Sequence, residues 1–254
     1  MKRILIAGAL ALAAGGQVFA ADLPQNAAPS PSREQAPSYK WAGVYIGINA
    51  GYGFGTSNWS DARNPSGVTS TGDFSTNGFL GGGTIGANVQ SSQFVFGVEA
   101  DLDYSALKGS VTPASGFCTL QVTTGAAGAS CETQNNWLGT FRGRAGFAAD
   151  RVLFYGTAGL AFGNVQAGLT NGTIGFPGFN NNTELGWTAG AGLEVAIDDN
   201  WTGRIEYLYV DLAQGSCVTG NNCGFDTAAA VANDSVKFTA NVVRLGIAYK
   251  FGSQ

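Results

Sequence analysis

The chain has 254 residues, of which 44% are hydrophobic and 12% charged, with 13 Lys and Arg against 17 Asp and Glu, no His and 39 Gly. That charged share is about half of the roughly 25% usual in soluble proteins, and the Gly share is about twice the average. Basic residues so few and scattered argue against nucleic-acid binding, and glycine without a triplet repeat argues against collagen.

Residues 1–20 read as a secretory signal. Lys2 and Arg3 precede the apolar run from Ile4 to Ala14, and Val18-Phe19-Ala20 supplies small residues before a cut near Ala20. The run is short for a membrane-spanning helix of ~20 residues, and no later stretch is long and apolar enough to be one. Cleavage would leave 11 basic and 17 acidic residues, with neither His nor Met. Export would place the chain in an oxidising compartment. Residues 21–40 are Pro-rich and aperiodic, an extended periplasmic lead-in to the domain expected over 41–254.

From Trp41 onward, eight segments alternate with a period of two, the signature of β-strands. The first, 42–54, sets Val44, Ile46, Ile48, Ala50, Tyr52 and Phe54 against Tyr45, Gly47, Asn49, Gly51 and Gly53. The second is 79–90. The third, Phe94–Tyr104, puts Phe94, Phe96, Val98, Ala100, Leu102 and Tyr104 on one face and Glu99, Asp101 and Asp103 on the other. Segments follow at 135–148, 151–165, 183–197, 201–212 and 236–251. Asn241 falls on an apolar face with no evident reason. Short connections at Ser91-Ser92, Ala149-Asp150 and Asp198-Asp199-Asn200 alternate with long polar ones at 55–78, 107–134, 166–182 and 213–235. Pairing Gln90 with Gln93 would set Thr84 beside Glu99, and pairing Ile197 with Trp201 would set Glu194 beside Arg204; like faces then meet.

A soluble sandwich has the same period. Three features favour a membrane barrel: few charges for an exterior, long loops at one end only, and aromatics near strand ends on the apolar face. The expected fold is therefore all-β, an eight-stranded antiparallel transmembrane β-barrel. Its polar face would point inward, carrying Glu99, Asp101, Asp103, Arg142, Arg144, Glu184, Glu194, Arg204, Glu206, Arg244 and Lys250. An eight-stranded lumen is only wide enough to be filled by side chains. These charges are either structural ion pairs or a transport path; Glu194 with Arg204, and Asp101 or Glu99 with Arg142 or Arg144, are the expected pairs. Four cysteines allow three pairings; the local ones, Cys118 with Cys131 and Cys217 with Cys223, each lie within one long loop.

The signal followed by ADLP, then WAGVYIGINAGYGFG, FVFGVEADLDY, NWLGTFRGRAGF, EYLYVDL and AYKF, resembles the small outer-membrane barrels of rhizobia and their animal-pathogen relatives, a branch of the OmpA-like eight-stranded barrels. The resemblance implies a Gram-negative outer-membrane surface protein inserted into lipid by the barrel assembly machinery. Members of such a group are described as structural proteins, surface antigens, porin-like proteins or haemin binders. Two departures stand out: Gly252-Ser253-Gln254 follows the aromatic Phe251, and no peptidoglycan-binding domain is expected after the barrel, so the wall-anchoring role of longer OmpA relatives is not carried over.

An enzyme is not expected. Without His no Ser–His–acid triad can be built, and Gly81-Gly82-Gly83-Thr84 lacks the Lys of a phosphate loop. No cofactor or metal is expected. Three readings remain: a structural and interaction protein with a charge-filled lumen, a porin-like narrow channel for small solutes, or a surface binder of haemin or host molecules.

Overall fold

The computed structural model describes residues 39–61, 70–112, 130–171, 174–175, 180–217 and 234–252. The strands are β1 (Gly43–Asp61), β2 (Phe74–Ser91), β3 (Phe94–Val111), β4 (Ser130–Ala149), β5 (Val152–Asn171), β6 (Ile174–Gly175), β7 (Asn180–Ala196), β8 (Trp201–Cys217) and β9 (Asp234–Phe251). β6 is a two-residue flap on the end of β5. The other eight pair antiparallel with their neighbours in chain order, and β1 pairs with β9, so these eight close on themselves and each has a partner on both sides.

The register fixes the barrel's dimensions. Stepping across partners from Val44 through Ala87, Val98, Gly143, Ala158, Ala189, Tyr209 and Asn241 returns to β1 at Phe54, ten residues further along. With strands ~4.8 Å apart and a rise of ~3.3 Å per residue, this stagger tilts them by about 40° and sets a backbone radius of about 8 Å. So narrow a cylinder has room inside for side chains and little else.

Alternation decides the faces. In β3, Phe94, Phe96, Val98, Leu102 and Tyr104 are exposed on the outside, whereas Val95, Glu99, Asp101 and Asp103 are buried inside. The outward apolar band from Phe94 to Tyr104 spans about 25 Å along the axis, the height of a lipid-facing band. Rings cluster at both rims of the band. Tyr52 packs on Phe79 and Trp187 on Tyr209 at the long-loop end, with centroids 5.1 and 5.2 Å apart. Phe94 meets Phe147 and Trp201 meets Tyr249 at the short-turn end, at 6.0 and 5.2 Å. The eight long strands have 17–20 residues, against the 9–11 needed to cross a bilayer. They therefore continue past the upper ring girdle, where the outward residues of β1 turn polar: Thr56, Asn58 and Ser60.

Two turns differ from the sequence reading. The β2–β3 connection is Ser92-Gln93, so Ser91 faces Phe94, Thr84 faces Asp101 and Ile85 faces Ala100. Ser92 takes a left-handed φ of 57°. The β4–β5 connection is Asp150-Arg151, with Asp150 at φ 54°. The first shift is by two residues, which preserves the faces and changes only the partners. The third turn falls as expected, with Glu194 opposite Arg204. Asp198 holds it by accepting the backbone N–H groups of Asn200 and Trp201 at 2.8 and 2.7 Å, and these bonds hold its carboxyl below the usual range. Asn241, unexplained from sequence, accepts the Tyr207 hydroxyl at 2.6 Å and donates to the Phe54 carbonyl at 3.4 Å.

Candidate functional site: the lumen

The lumen is layered. At its middle, four arginines meet five carboxylates. Arg142 reaches Glu99 at 2.5 Å, Asp101 at 2.7 Å and Glu206 at 3.0 Å. Arg244, across the barrel on β9, reaches Asp101 at 3.1 Å, Asp103 at 3.0 Å and Glu206 at 2.7 Å. Arg144 pairs with Glu194 at 2.7 Å, and Arg204 with Glu99. Every one of these side chains is buried. Lys250, lower on β9, is the fifth buried cation, so five buried positive groups balance five buried negative ones among the described residues. A lone charge there would cost several kcal/mol, and mutual pairing is what lets this many coexist.

Neutral groups complete the network. Thr140 donates to Asp101 at 2.8 Å and Thr202 to Glu194 at 2.7 Å. Tyr45 donates to Glu99 at 2.7 Å while accepting from Arg144 at 2.9 Å, and Tyr155 donates to Glu206 at 3.1 Å. The Arg144 guanidinium lies over the Tyr155 ring, 4.1 Å from its centroid. Glycine makes this possible at two points. A Cβ on Gly86 would fall 2.3 Å from the Tyr45 hydroxyl oxygen, and one on Gly192 would fall 2.5 Å from that of Tyr155.

Above the ions, toward the long loops, apolar inward residues pack among small buried polar ones such as Ser57, Thr76, Ser105 and Thr133. Leu107, Leu138, Leu208, Val210, Leu212, Phe238 and Val242 belong to one buried cluster with Trp59 and Phe74. Below them a second cluster joins Val95, Ala148, Leu153, Tyr155 and Ala196 to Tyr39 and Trp41. Those last two precede β1 and turn into the short-turn mouth. The Trp41 indole donates to the Asp150 carbonyl at 3.0 Å, and its backbone N–H donates to the Gln90 side chain at 2.7 Å. Lys250 donates to the Lys40 carbonyl and sits 4.1 Å from the Tyr39 ring centroid. Burial, then the nearby carboxylates, push the Tyr39 hydroxyl up to about 12.

Ten of the eleven charges expected inside come together in the buried lumen. Glu184 does not. It lies toward the long-loop end of β7, opposite Gly163 and above the ionic layer, half exposed and in none of the ion pairs of the described residues. The expected Glu194–Arg204 pair also fails despite their register. Arg204 extends across the lumen to Glu99, and Glu194 is taken by Arg144. The pairs of Glu99 and Asp101 with Arg142 are present, and Arg144 lies 3.7 Å from Glu99. Among the cysteines only Cys131 has a described side chain, which is fully buried; the two expected pairings fall outside the described residues. Sequence reasoning passed over the inward apolar residues and Trp41. The signal for the former was the inward parity of Leu208, Val242 and Leu107 above the charges.

A closed antiparallel barrel of eight long strands, with an apolar band between two ring girdles, defines an outer-membrane β-barrel protein. The chain belongs to the outer membrane protein beta-barrel domain family, whose model matches residues 8–251. It is 33% identical over 261 residues to the 31 kDa outer-membrane immunogenic protein of Brucella melitensis, spanning 99% of this chain and 100% of that one. It is 32% identical over 252 residues to the 25 kDa outer-membrane immunogenic protein of Brucella canis, 99% of each. It is also 33% identical over 215 residues to the 22 kDa outer membrane protein of Rhizobium leguminosarum bv. viciae, 85% of this chain and 80% of that one. Among solved structures, Neisserial surface protein A aligns with a TM-score of 0.41 and 14% identity, over 83% of this chain and 98% of that one. The family resemblance carried by the strand motifs is thus correct, and the protein is an outer-membrane protein.

Proposed function

We propose that this protein is a structural and surface-display barrel of the outer membrane, closed to ions and small solutes, and not an enzyme. The observation that carries the reading is the equality of buried cations and anions in a cylinder of about 8 Å backbone radius. Balanced, interlocked charges offer no net field to draw an ion in. Packed side chains above, apolar with interlocked hydroxyls among them, and apolar ones below leave no open hydration path by which one could leave. The work is then left to the outside: lipid along the band and whatever meets the long loops at the cell surface. The names of the Brucella relatives describe them as immunogenic, which suits a role for these loops as surface antigens.

The test is single-channel recording of the purified protein in a planar bilayer. The expected result is insertion, read as loss of unboiled-to-boiled gel identity, with no steady open level. A large, steady conductance in the unmodified protein would overturn the closed reading and put a narrow channel in its place.

A further inference from the structure

We propose that Tyr39, Lys40 and Trp41 form a latched stopper that closes the periplasmic mouth of the lumen and that its withdrawal exposes the lower lumen without opening the pore. This deepens the closed-barrel reading by assigning one of its seals to the lead-in, which is not part of the strand wall.

The geometry separates the stopper from the barrel. β1 begins at Gly43, which has a φ of 138°, so the chain bends away from the strand direction just after Trp41. Trp41 is 1% exposed and Tyr39 6% exposed. Their rings contact edge to face, with centroids 4.8 Å apart. Together they cover Val95, Ala148, Leu153 and Ala196, which would otherwise form an open apolar floor.

The latches come from three separate elements. Gln90, at the end of β2, accepts the Trp41 backbone N–H, and its own amide donates to the Ser92 carbonyl in the turn, which holds the acceptor in place. Asp150, in the β4–β5 turn, accepts the Trp41 indole through its carbonyl, and its carboxylate lies 3.4 Å from the Tyr39 backbone nitrogen. Lys250, in β9, holds Lys40 and faces the Tyr39 ring. None of these bonds belongs to a β-ladder, so releasing them removes no strand pairing. The upper apolar layer shares no residue with the stopper or its floor, and the ionic layer meets that floor through Tyr155, which stays in β5 when the stopper leaves, so both layers stay closed.

Cysteine accessibility tests this. Ala196 is 5% exposed beneath the stopper, and Ala196→Cys places a thiol there. A small charged methanethiosulfonate reagent is added to the refolded protein, and incorporation is counted above that of the protein lacking Ala196→Cys. The expected result is slow labelling of Ala196→Cys alone and labelling at least about tenfold faster when Trp41→Ala is added, as for a locally opened segment. Unboiled gel mobility and bilayer silence should be unchanged. Equal labelling rates with and without Trp41→Ala would overturn the stopper. Should Trp41→Ala fail to assemble, Gln90→Ala carries the same comparison. A conducting unmodified protein would sink the closed-barrel reading whatever the labelling shows, so the two failures are distinguishable.

Discussion

Arg142 shows how much one residue holds. It touches carboxylates on β3 and β8 and accepts no help from solvent, being 0% exposed. Arg142→Ala would leave Glu99, Asp101 and Glu206 crowded and short of a counter-charge. The expected cost is about 3–5 kcal/mol, the range for breaking a buried ion cluster from one side. It would appear as a lower urea midpoint for loss of the unboiled gel form. Conductance should not rise, because the apolar layers on either side remain. Replacing the half-exposed Glu184, which has no ion pair among the described residues, should move the midpoint by no more than about 0.5 kcal/mol. The contrast between these two residues marks a limit of sequence reading. Both lie on the inward parity of their strands, and parity is legible. Axial height relative to the ionic layer is not, because it depends on the stagger of the whole barrel.

Strands and turns were legible to different degrees. The faces of all eight long strands follow from the period of two, since a slip by two residues leaves every side chain on its side. Partners did not follow so well. The stretch Gln90-Ser91-Ser92-Gln93 offers no Gly or Asn to mark where the left-handed residue falls, and the turn settles at Ser92-Gln93. Strand ends were read too short for a physical reason. Beyond the upper girdle the outward residues meet water and not lipid, so Thr56, Asn58 and Ser60 look like loop although they remain paired with β9. The turn itself gives a test. Ser92 carries a side chain at φ 57°, and the left-handed region costs a non-glycine residue roughly 1 kcal/mol. Ser92→Gly should therefore raise the urea midpoint by about 0.5–1 kcal/mol. Ser92→Val should lower it, since a branched residue tolerates that region worst.

At the scale of the molecule, the proposed reading gives the lumen three closures in series: the stopper, the ion cluster and the upper apolar layer. Closures in series hold until the last one fails, so single variants should be electrically silent and only a combination should conduct. Removing Trp41 opens the lower floor. Replacing Phe238 and Leu107, both 1% exposed, by Ala thins the upper layer. Adding Arg142→Ala breaks the middle. The sign of the resulting leak is fixed by charge count. Losing one of five buried cations leaves five buried carboxylates against four positive groups. A net negative lumen favours cations by electrostatic focusing. In a salt gradient the combined variant should show a reversal potential of the sign for cation selectivity. Exchanging Arg142→Ala for Glu99→Gln in the same background leaves four carboxylates against five positive groups, and the potential should change sign. If both variants conduct with the same selectivity, the current does not pass through the ion cluster, and the three-layer account of closure is wrong.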